Sequence, residues 1–307
     1  MLPDRLRVQL SLAAAAFALL GGNARAEVIY GVTNTGIPLL VSFDSATPGT
    51  LTTIGAISGL VAGQTLRGID FRPSNGQLYA LSNAGSGAAA QLYTVNLTTG
   101  ALTTVGSGLT LPGNTSSVIS IDFNPVVDAL RVVTIFDQNY RVNANIGALI
   151  AQDTSISPAA GSYADIAYSN NVVGATSTTL YAYEFSNDIV GTIGSVGGTP
   201  TSPNTGQFFP VGSSGVTAGN QILGFDISGA TGIGYANLLP AFTSTQDLYT
   251  VDLGTGAFNL VGSFSAPLLD ISVQPLLPAV VPEPGMLALA SLGLLSLAGT
   301  VWRRRRE

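Results

Sequence analysis

The sequence predicts an all-β fold: a β-propeller of four-stranded blades, most simply five-bladed, with the N- and C-terminal strands sharing one blade. Three observations lead there. A hairpin pattern recurs along the chain, and an Asp-bearing strand recurs beside it at Asp-to-Asp spacings of 52, 43, 61 and 44 residues. Those spacings sit near the ~40–50 residues of a propeller blade. Between residues 27 and 280 no stretch carries the 3.6-residue apolar period of an amphipathic helix.

The hairpin reads Leu-Tyr, one residue, an apolar residue, an acid or amide, a tight turn, and a β-branched strand ending in Val-Gly or Ile-Gly. Its clearest copies are Leu92–Asn96 with Gly100 and Val105-Gly106, and Leu248–Asp252 with Gly256 and Val261-Gly262. Leu180–Glu184 leads to Ile193-Gly194, Asn139–Asn143 leads to Gly147, and Leu40–Asp44 leads to Gly49 and Ile54-Gly55. Each copy alternates as a half-buried strand does. Asp44, Asn96, Asn143, Glu184 and Asp252 stand where a side-chain oxygen can accept turn N–H groups, so we read them as structural caps.

The Asp strands are Gly68–Phe71, Ser120–Phe123, Ala164–Ala167, Phe225–Ile227 and Leu269–Ile271. The first two continue through Pro73 and Pro125 into a turn and a further strand, Gln77–Leu81 and Ala129–Thr134. One repeat is therefore about four strands. The last Asp strand has no hairpin after it, and the first hairpin has only Val28–Thr33 before it. Pairing the two ends in one blade sews the ring shut and removes open edges. A six-bladed ring or a two-sheet β-sandwich would also accommodate the pattern. The longest loop, Ser195–Gly206, reads as an insertion within the fourth blade, and residues 27–280 read as one domain.

The two ends stand apart from this domain. Residues 1–26 read as a secretory signal: Arg5 and Arg7, an apolar run Ser11–Leu20, and the small-x-small pattern of Ala24 and Ala26 before a cut ahead of Glu27. At the other end Pro282-Glu283-Pro284 (motif 281–285) precedes an apolar stretch, Met286–Trp302, and a basic tail, 303–307, with four arginines. Seventeen residues are at the short end of a membrane span. The arginines would stay cytoplasmic, leaving the bulk of the chain on the far side. An exported domain of this kind has four arginines against fourteen acids, about −10, much more acidic than the −6 of the whole chain. Such a surface repels polyanions and anionic headgroups.

This tripartite tail resembles the PEP-CTERM sorting signal. The resemblance implies an exosortase as partner, a Gram-negative host, processing near Pro282–Pro284, and release to the cell surface or an exopolysaccharide matrix. The body resembles the bacterial domain-of-unknown-function family numbered 4394 over roughly residues 28–274. The similarity rests on Gly68–Pro73, Ile121–Pro125 with Asp128 and Leu130–Val133, Asn139–Asn143, Gly174–Tyr181 and Gly224–Ser228. It implies no activity.

Composition narrows the chemistry. The chain has no His and no Cys, which excludes a Ser-His-Asp triad, imidazole metal ligands, thiolate catalysis and disulfides. A basic nucleic-acid surface is absent at this net charge. There is no phosphate loop, no Gly-x-Ser-x-Gly elbow and no EF-hand run. Three constellations remain. Asp70, Asp122, Asp165, Asp226 and Asp270, if all on innermost strands, could ring the central channel at equivalent positions. They could then hold a hard cation such as Ca²⁺, or supply acid and base to a glycosidic bond. Apolar neighbours make them more readily buried carboxylates bonded to the next blade. Arg131 and Arg141, near Asp122, Asp128 and Asp137 in the sequence, could clamp a uronate or phosphate, or form an internal ion pair. Tyr140, Tyr163, Tyr168, Tyr181 and Tyr183 could face a sugar, though alternation places such tyrosines in a core. No catalytic residue, resident metal or cofactor is assigned, Ca²⁺ on the Asp ring being the single cofactor the pattern would suit. The expectation is a non-enzymatic surface or matrix protein that binds exopolysaccharide or a surface protein. A hydrolase or lyase with acids at the channel mouth is the alternative, and a ligand-free matrix filler the third reading.

Overall fold

The computed structural model of the chain describes residues 26–85, 87–114, 118–158, 162–220 and 224–275. The signal segment, the sorting motif and the apolar stretch read from the sequence lie outside them, apart from Ala26. Twenty strands form five four-stranded antiparallel sheets. The first blade holds β1 (Val28–Thr33), β2 (Leu39–Asp44) and β3 (Thr52–Ala56), completed by β20 (Leu268–Val273), the last strand of the described chain. The second holds β4 (Thr65–Arg72), β5 (Gln77–Asn83), β6 (Ala89–Val95) and β7 (Leu102–Thr110). The third holds β8 (Ile119–Asn124), β9 (Ala129–Thr134), β10 (Asn139–Asn143) and β11 (Ala148–Gln152). The fourth holds β12 (Tyr163–Tyr168), β13 (Leu180–Glu184), β14 (Ile189–Ile193) and β15 (Phe208–Ser213), and the fifth β16 (Gly224–Ile227), β17 (Gly234–Leu238), β18 (Asp247–Val251) and β19 (Phe258–Ser263). The five-bladed ring is the simplest of the architectures that the repeats allowed. No α-helix occurs among the described residues.

The ring closes as the repeat pattern required. β20 pairs with β1 in register Ile29↔Val273, Tyr30↔Ser272 and Gly31↔Ile271, so both described ends of the chain lie in one blade. Glu27 adds a side-chain seam. Its carboxylate accepts from Thr231 Oγ1 and Tyr235 OH (both 3.0 Å) and from the Ser228 hydroxyl, all in the fifth blade.

The core is divided among the blade interfaces. Five apolar clusters occur, one for each contact between neighbouring blades; Ile69, Phe71 and Tyr93 of the second blade, for example, pack with Val32 and Leu40 of the first. Both faces of the three inner strands of each sheet are therefore buried, while the outer strands β3, β7, β11, β15 and β19 are mostly half-buried or exposed. Alternate residues of an inner strand serve opposite neighbours, as the period of two demands. Ile69 and Phe71 face the first blade, and Asp70 between them faces the third.

The recurring Val-Gly of the outer strand is explained by close approach. A Cβ on Gly55, Gly106 or Gly212 would overlap the carbonyl of Thr99, Ile146 or Thr255, which sits in the outer turn of the following blade. The five cap residues act as expected. Asp44, Asn96, Asn143 and Asp252 each accept a turn N–H two residues on at 2.8–2.9 Å, and Glu184 Oε1 accepts from Ser186 N at 2.7 Å. One hairpin differs from its sequence reading. Leu180–Glu184 is the second strand of its blade and Ile189–Ile193 the third, whereas every other copy supplies the third and fourth. Leu-Tyr also occurs on second strands, as at Leu78-Tyr79, so Tyr181 is the counterpart of Tyr79 and the true Val-Gly of the fourth blade is Val211-Gly212. The loop Ser195–Gly206 joins β14 to β15 through two short 3₁₀ turns, Val196–Gly198 and Pro203–Thr205.

Candidate functional site: a two-tier carboxylate ring on the axis

All five aspartates lie on innermost strands, but not at one level. The pairing register aligns the inner strands independently of residue type. Asp70 stands opposite Tyr79, Asp122 opposite Arg131, Ala167 opposite Tyr181, Asp226 opposite Tyr235 and Ser272 opposite Tyr30. These five positions form one tier. Asp165 and Asp270 lie two residues earlier on their strands, where the other blades carry Gly68, Ser120 and Gly224. The expectation of five equivalent carboxylates is thus corrected to three on one tier and two on the next. Two residues is one pleat repeat, so both tiers keep the same facing.

The carboxylates answer a structural need. An inner strand has a partner on one side only, and its N–H groups on the other side would be buried without acceptors. Each polar side chain in a tier accepts the next such N–H of the following blade. Asp70 Oδ2 accepts from Phe123 N (2.7 Å), Asp122 Oδ1 from Tyr168 N (2.9 Å), Asp226 Oδ2 from Val273 N (2.6 Å) and Ser272 Oγ from Phe71 N (3.1 Å). In the other tier Asp270 Oδ2 accepts from Ile69 N (2.7 Å) and Ser120 Oγ from Ile166 N (3.0 Å). The equivalent Phe225 N–H favours the charged form of Asp165 without closing a hydrogen bond to its Oδ2. Gly224 leaves the space this needs: a Cβ there would lie 2.7 Å from Asp270 Oδ1.

The electrostatics are those of crowded, desolvated acids. All five are at most 7% exposed. Burial pushes Asp70, Asp122, Asp165 and Asp270 well above the ordinary carboxylate range, and each feels the charge of others in the ring. Asp226 is pushed up to about 7 by burial, with a smaller push from Glu27, against the pull of its bonds to Val273, Ser272 and Ile227. One carboxylate oxygen each from Asp70, Asp122 and Asp226 lies within 4.8 Å of the others. Ser272 Oγ lies 2.9 Å from Asp70 Oδ1 and 3.0 Å from Asp226 Oδ2, linking two of the three.

The arginines are structural. Arg131, 2% exposed, and Arg141 converge on Asp153, with Arg131 NH1 and Arg141 Nε both 2.7 Å from its Oδ2. Arg131 also donates to Tyr168 OH, Asn139 Oδ1 and Asn204 Oδ1, so the β14–β15 loop is clamped onto the third blade. Proximity in sequence pointed to Asp122, Asp128 and Asp137 instead. Asp128 pairs with Arg72 (Nε–Oδ1 2.7 Å), which holds its carboxyl below the usual range despite partial burial. Asp153 belongs to no repeat position, and nothing in the sequence marked it. The five tyrosines are core residues: Tyr140, Tyr163, Tyr168 and Tyr183 are buried and Tyr181 is partly so. Among the described residues two aromatics are exposed, and sequence reasoning passed over both. Phe136 (58% exposed) and Phe242 (fully exposed) occupy the turns between second and third strands of blades three and five. Ile37 occupies the same turn of blade one and is also exposed. Phe242 holds a left-handed backbone, φ 65°, an outlier for a bulky residue.

No curated protein matches the chain. Among solved structures, a protein of unknown function from Bacteroides thetaiotaomicron VPI-5482 aligns at 14% identity and TM-score 0.49 over 83% of this chain and 66% of its own. TolB from Acinetobacter baumannii aligns at 13% and 0.38 over 81% and 56%. A protein from Lactobacillus plantarum aligns at 17% and 0.38 over 83% and 69%. The chain thus spans less than two thirds of the first two structures. The PEP-CTERM protein-sorting motif matches residues 280–306, which makes this an exported protein, anchored in the membrane before an exosortase processes it. The remainder, matched over residues 39–272, belongs to the family described as a domain of unknown function, DUF4394.

Proposed function

We propose that this is a non-enzymatic surface or extracellular-matrix protein that binds exopolysaccharide or a surface protein once an exosortase has released it. The observation that carries the reading is the coupling of a sorting motif to a propeller whose axial acids are buried and bonded to neighbouring blades. A glycosidase needs two carboxyls that reach substrate, about 5–10 Å apart in an open cleft. These five serve blade-to-blade hydrogen bonds instead. The binding face is the end of the ring that carries the turns between second and third strands. There Ile37, Phe136 and Phe242 project from blades one, three and five, of which the fifth and first are neighbours, and aromatic faces suit sugar rings and protein anchors alike.

The test is a polysaccharide array carrying alginate, dextran, cellulose oligosaccharides and the host's own exopolysaccharide. The full chain is applied in detergent, and reducing-end release is assayed in the same wells. Saturable binding without release, weakened at least tenfold by Phe242→Ser with Phe136→Ser, is the expected result. Release of reducing ends, or a host lacking the gene with unchanged matrix and adhesion, would overturn it.

A further inference from the structure

We propose that Asp70, Asp122 and Asp226 hold a divalent cation of Ca²⁺ size on the propeller axis. The spacing permits it. Calcium takes carboxylate oxygens at about 2.4 Å, so two ligand atoms of one ion can stand at most ~4.8 Å apart. The three oxygens meet that limit together. Each comes from a different rigid inner strand, which fixes the triangle without help from loops. Their remaining lone pairs are available: Asp122 Oδ2 accepts no hydrogen bond among the described residues, and Asp70 uses one acceptor site on each oxygen.

A second observation points the same way. Asp165 is 3% exposed, and its Oδ2 has no hydrogen-bond partner, although Oδ1 is bonded to Ser120 and to Ile166 N. Asp165 lies one pleat from the tier at Ala167, the position with no polar atom, between the blades that carry Asp122 and Asp226. Its charge acts on Asp122, and that of Asp226 acts on it. A buried, unpaired carboxylate oxygen is costly unless something positive faces it. The single hydroxyl proton of Ser272 stands between two carboxylate oxygens and can serve only one, which leaves the other to a proton or a cation. No arginine among the described residues relieves the site. Arg72 is committed to Asp128, Arg131 and Arg141 to Asp153, and Arg67 donates to Asn83. The site lies apart from the apolar turns of the binding proposal and stands or falls independently of it.

The experiment uses the full chain in detergent, stripped with EDTA and exchanged into metal-free buffer at pH 7.5. Calorimetry with CaCl₂ and metal analysis after gel filtration are expected to give one ion per chain. At 100 times its Kd, Ca²⁺ should raise Tm by ~5–10 °C. Tb³⁺ should give tyrosine-sensitised emission that Ca²⁺ quenches, since Tyr79 and Tyr235 stand opposite Asp70 and Asp226. Asp122→Asn, which can still accept from Tyr168 N, should lower affinity at least tenfold. Equal Tm in Ca²⁺ and EDTA with less than a tenth of an ion per chain would overturn the proposal, and those wild-type measurements decide it even if the variant fails to fold. Undiminished affinity in a folded Asp122→Asn would overturn it as well, by placing the ion elsewhere.

Discussion

Raising the pH should destabilise this protein through a range where most proteins are indifferent. Asp226 titrates at about 7 in the folded chain, against ~3.9 in an unfolded one. The folded state therefore holds a proton that the unfolded state has released, and stability falls as pH rises between those values. The stabilisation is complete below about pH 4 and is lost by about pH 7. Three units at ~1.4 kcal/mol each amount to about 4 kcal/mol from Asp226 alone. For a domain of this size that corresponds to ~8–16 °C in Tm. Asp70, Asp122, Asp165 and Asp270 are shifted in the same direction, and the charges around Asp226 that oppose its ionisation include Glu27 and those ring acids. Asp128 works in the opposite sense. Arg72 holds its carboxyl low, so its contribution is lost only below about pH 4, and the optimum should fall near pH 4–5. The assay is thermal unfolding by circular dichroism in EDTA from pH 4.5 to 8.5, on wild type and Asp226→Asn. A falling Tm through pH 5–7, made shallower by the substitution, is expected. A Tm that is flat or rises through that window, or an unchanged slope in Asp226→Asn, would refute the reasoning.

Other substitutions probe separate features. Gly55→Ala pushes a methyl into the Thr99 carbonyl of the next blade and should cost about 1–3 kcal/mol, read as a lower urea midpoint. Arg131→Ala leaves Asp153, Asn139 and Asn204 short of a buried partner and should cost ~3–5 kcal/mol, whereas Arg141→Ala, at a site 28% exposed, should cost ~1 kcal/mol or less in the same assay. Glu27→Ala removes three hydroxyl partners from the seam between the first and fifth blades and should cost ~1–3 kcal/mol. Mass spectrometry of the exported protein should find Glu27 as its first residue. Phe242→Ser should leave Tm unchanged or slightly raised, because the side chain packs on nothing and the backbone is strained.

The blade count and closure were legible because both are written as a repeat: five Asp strands, and two half-blades left over at the ends. The two-tier arrangement was legible for four of the five acids, and only by aligning on the isoleucine. Ile69-Asp70 and Ile121-Asp122 carry the acid after Ile, while Asp165-Ile166 and Asp270-Ile271 carry it before, which is the two-residue offset; Asp226-Ile227 breaks the rule, since it carries the acid before Ile yet stands in the tier of Asp70, and only its register against Tyr235 places it. The fourth blade misled because Leu-Tyr fits a second strand and a third strand equally well, both being buried on two faces. Asp153 could not be found from the chain, since it lies between an outer strand and a connecting loop and meets Arg131 only through tertiary packing. Phe136 and Phe242 were hidden for a simpler reason. An apolar residue at a turn reads as core until the turn is seen to stand clear of it.

Release from the membrane should leave the folding free energy untouched. The last ladder pair of the ring joins Ile29 to Val273, and eight residues separate Val273 from Pro282. A cut at the Pro-Glu-Pro motif would take none of the strands, blade contacts or seam residues described above, all of which lie at or before residue 275. Tethered and shed forms should have superimposable melting curves and denaturant slopes. An exosortase cutting at that motif would change the protein's address and leave the unfolding thermodynamics of the described ring as they were.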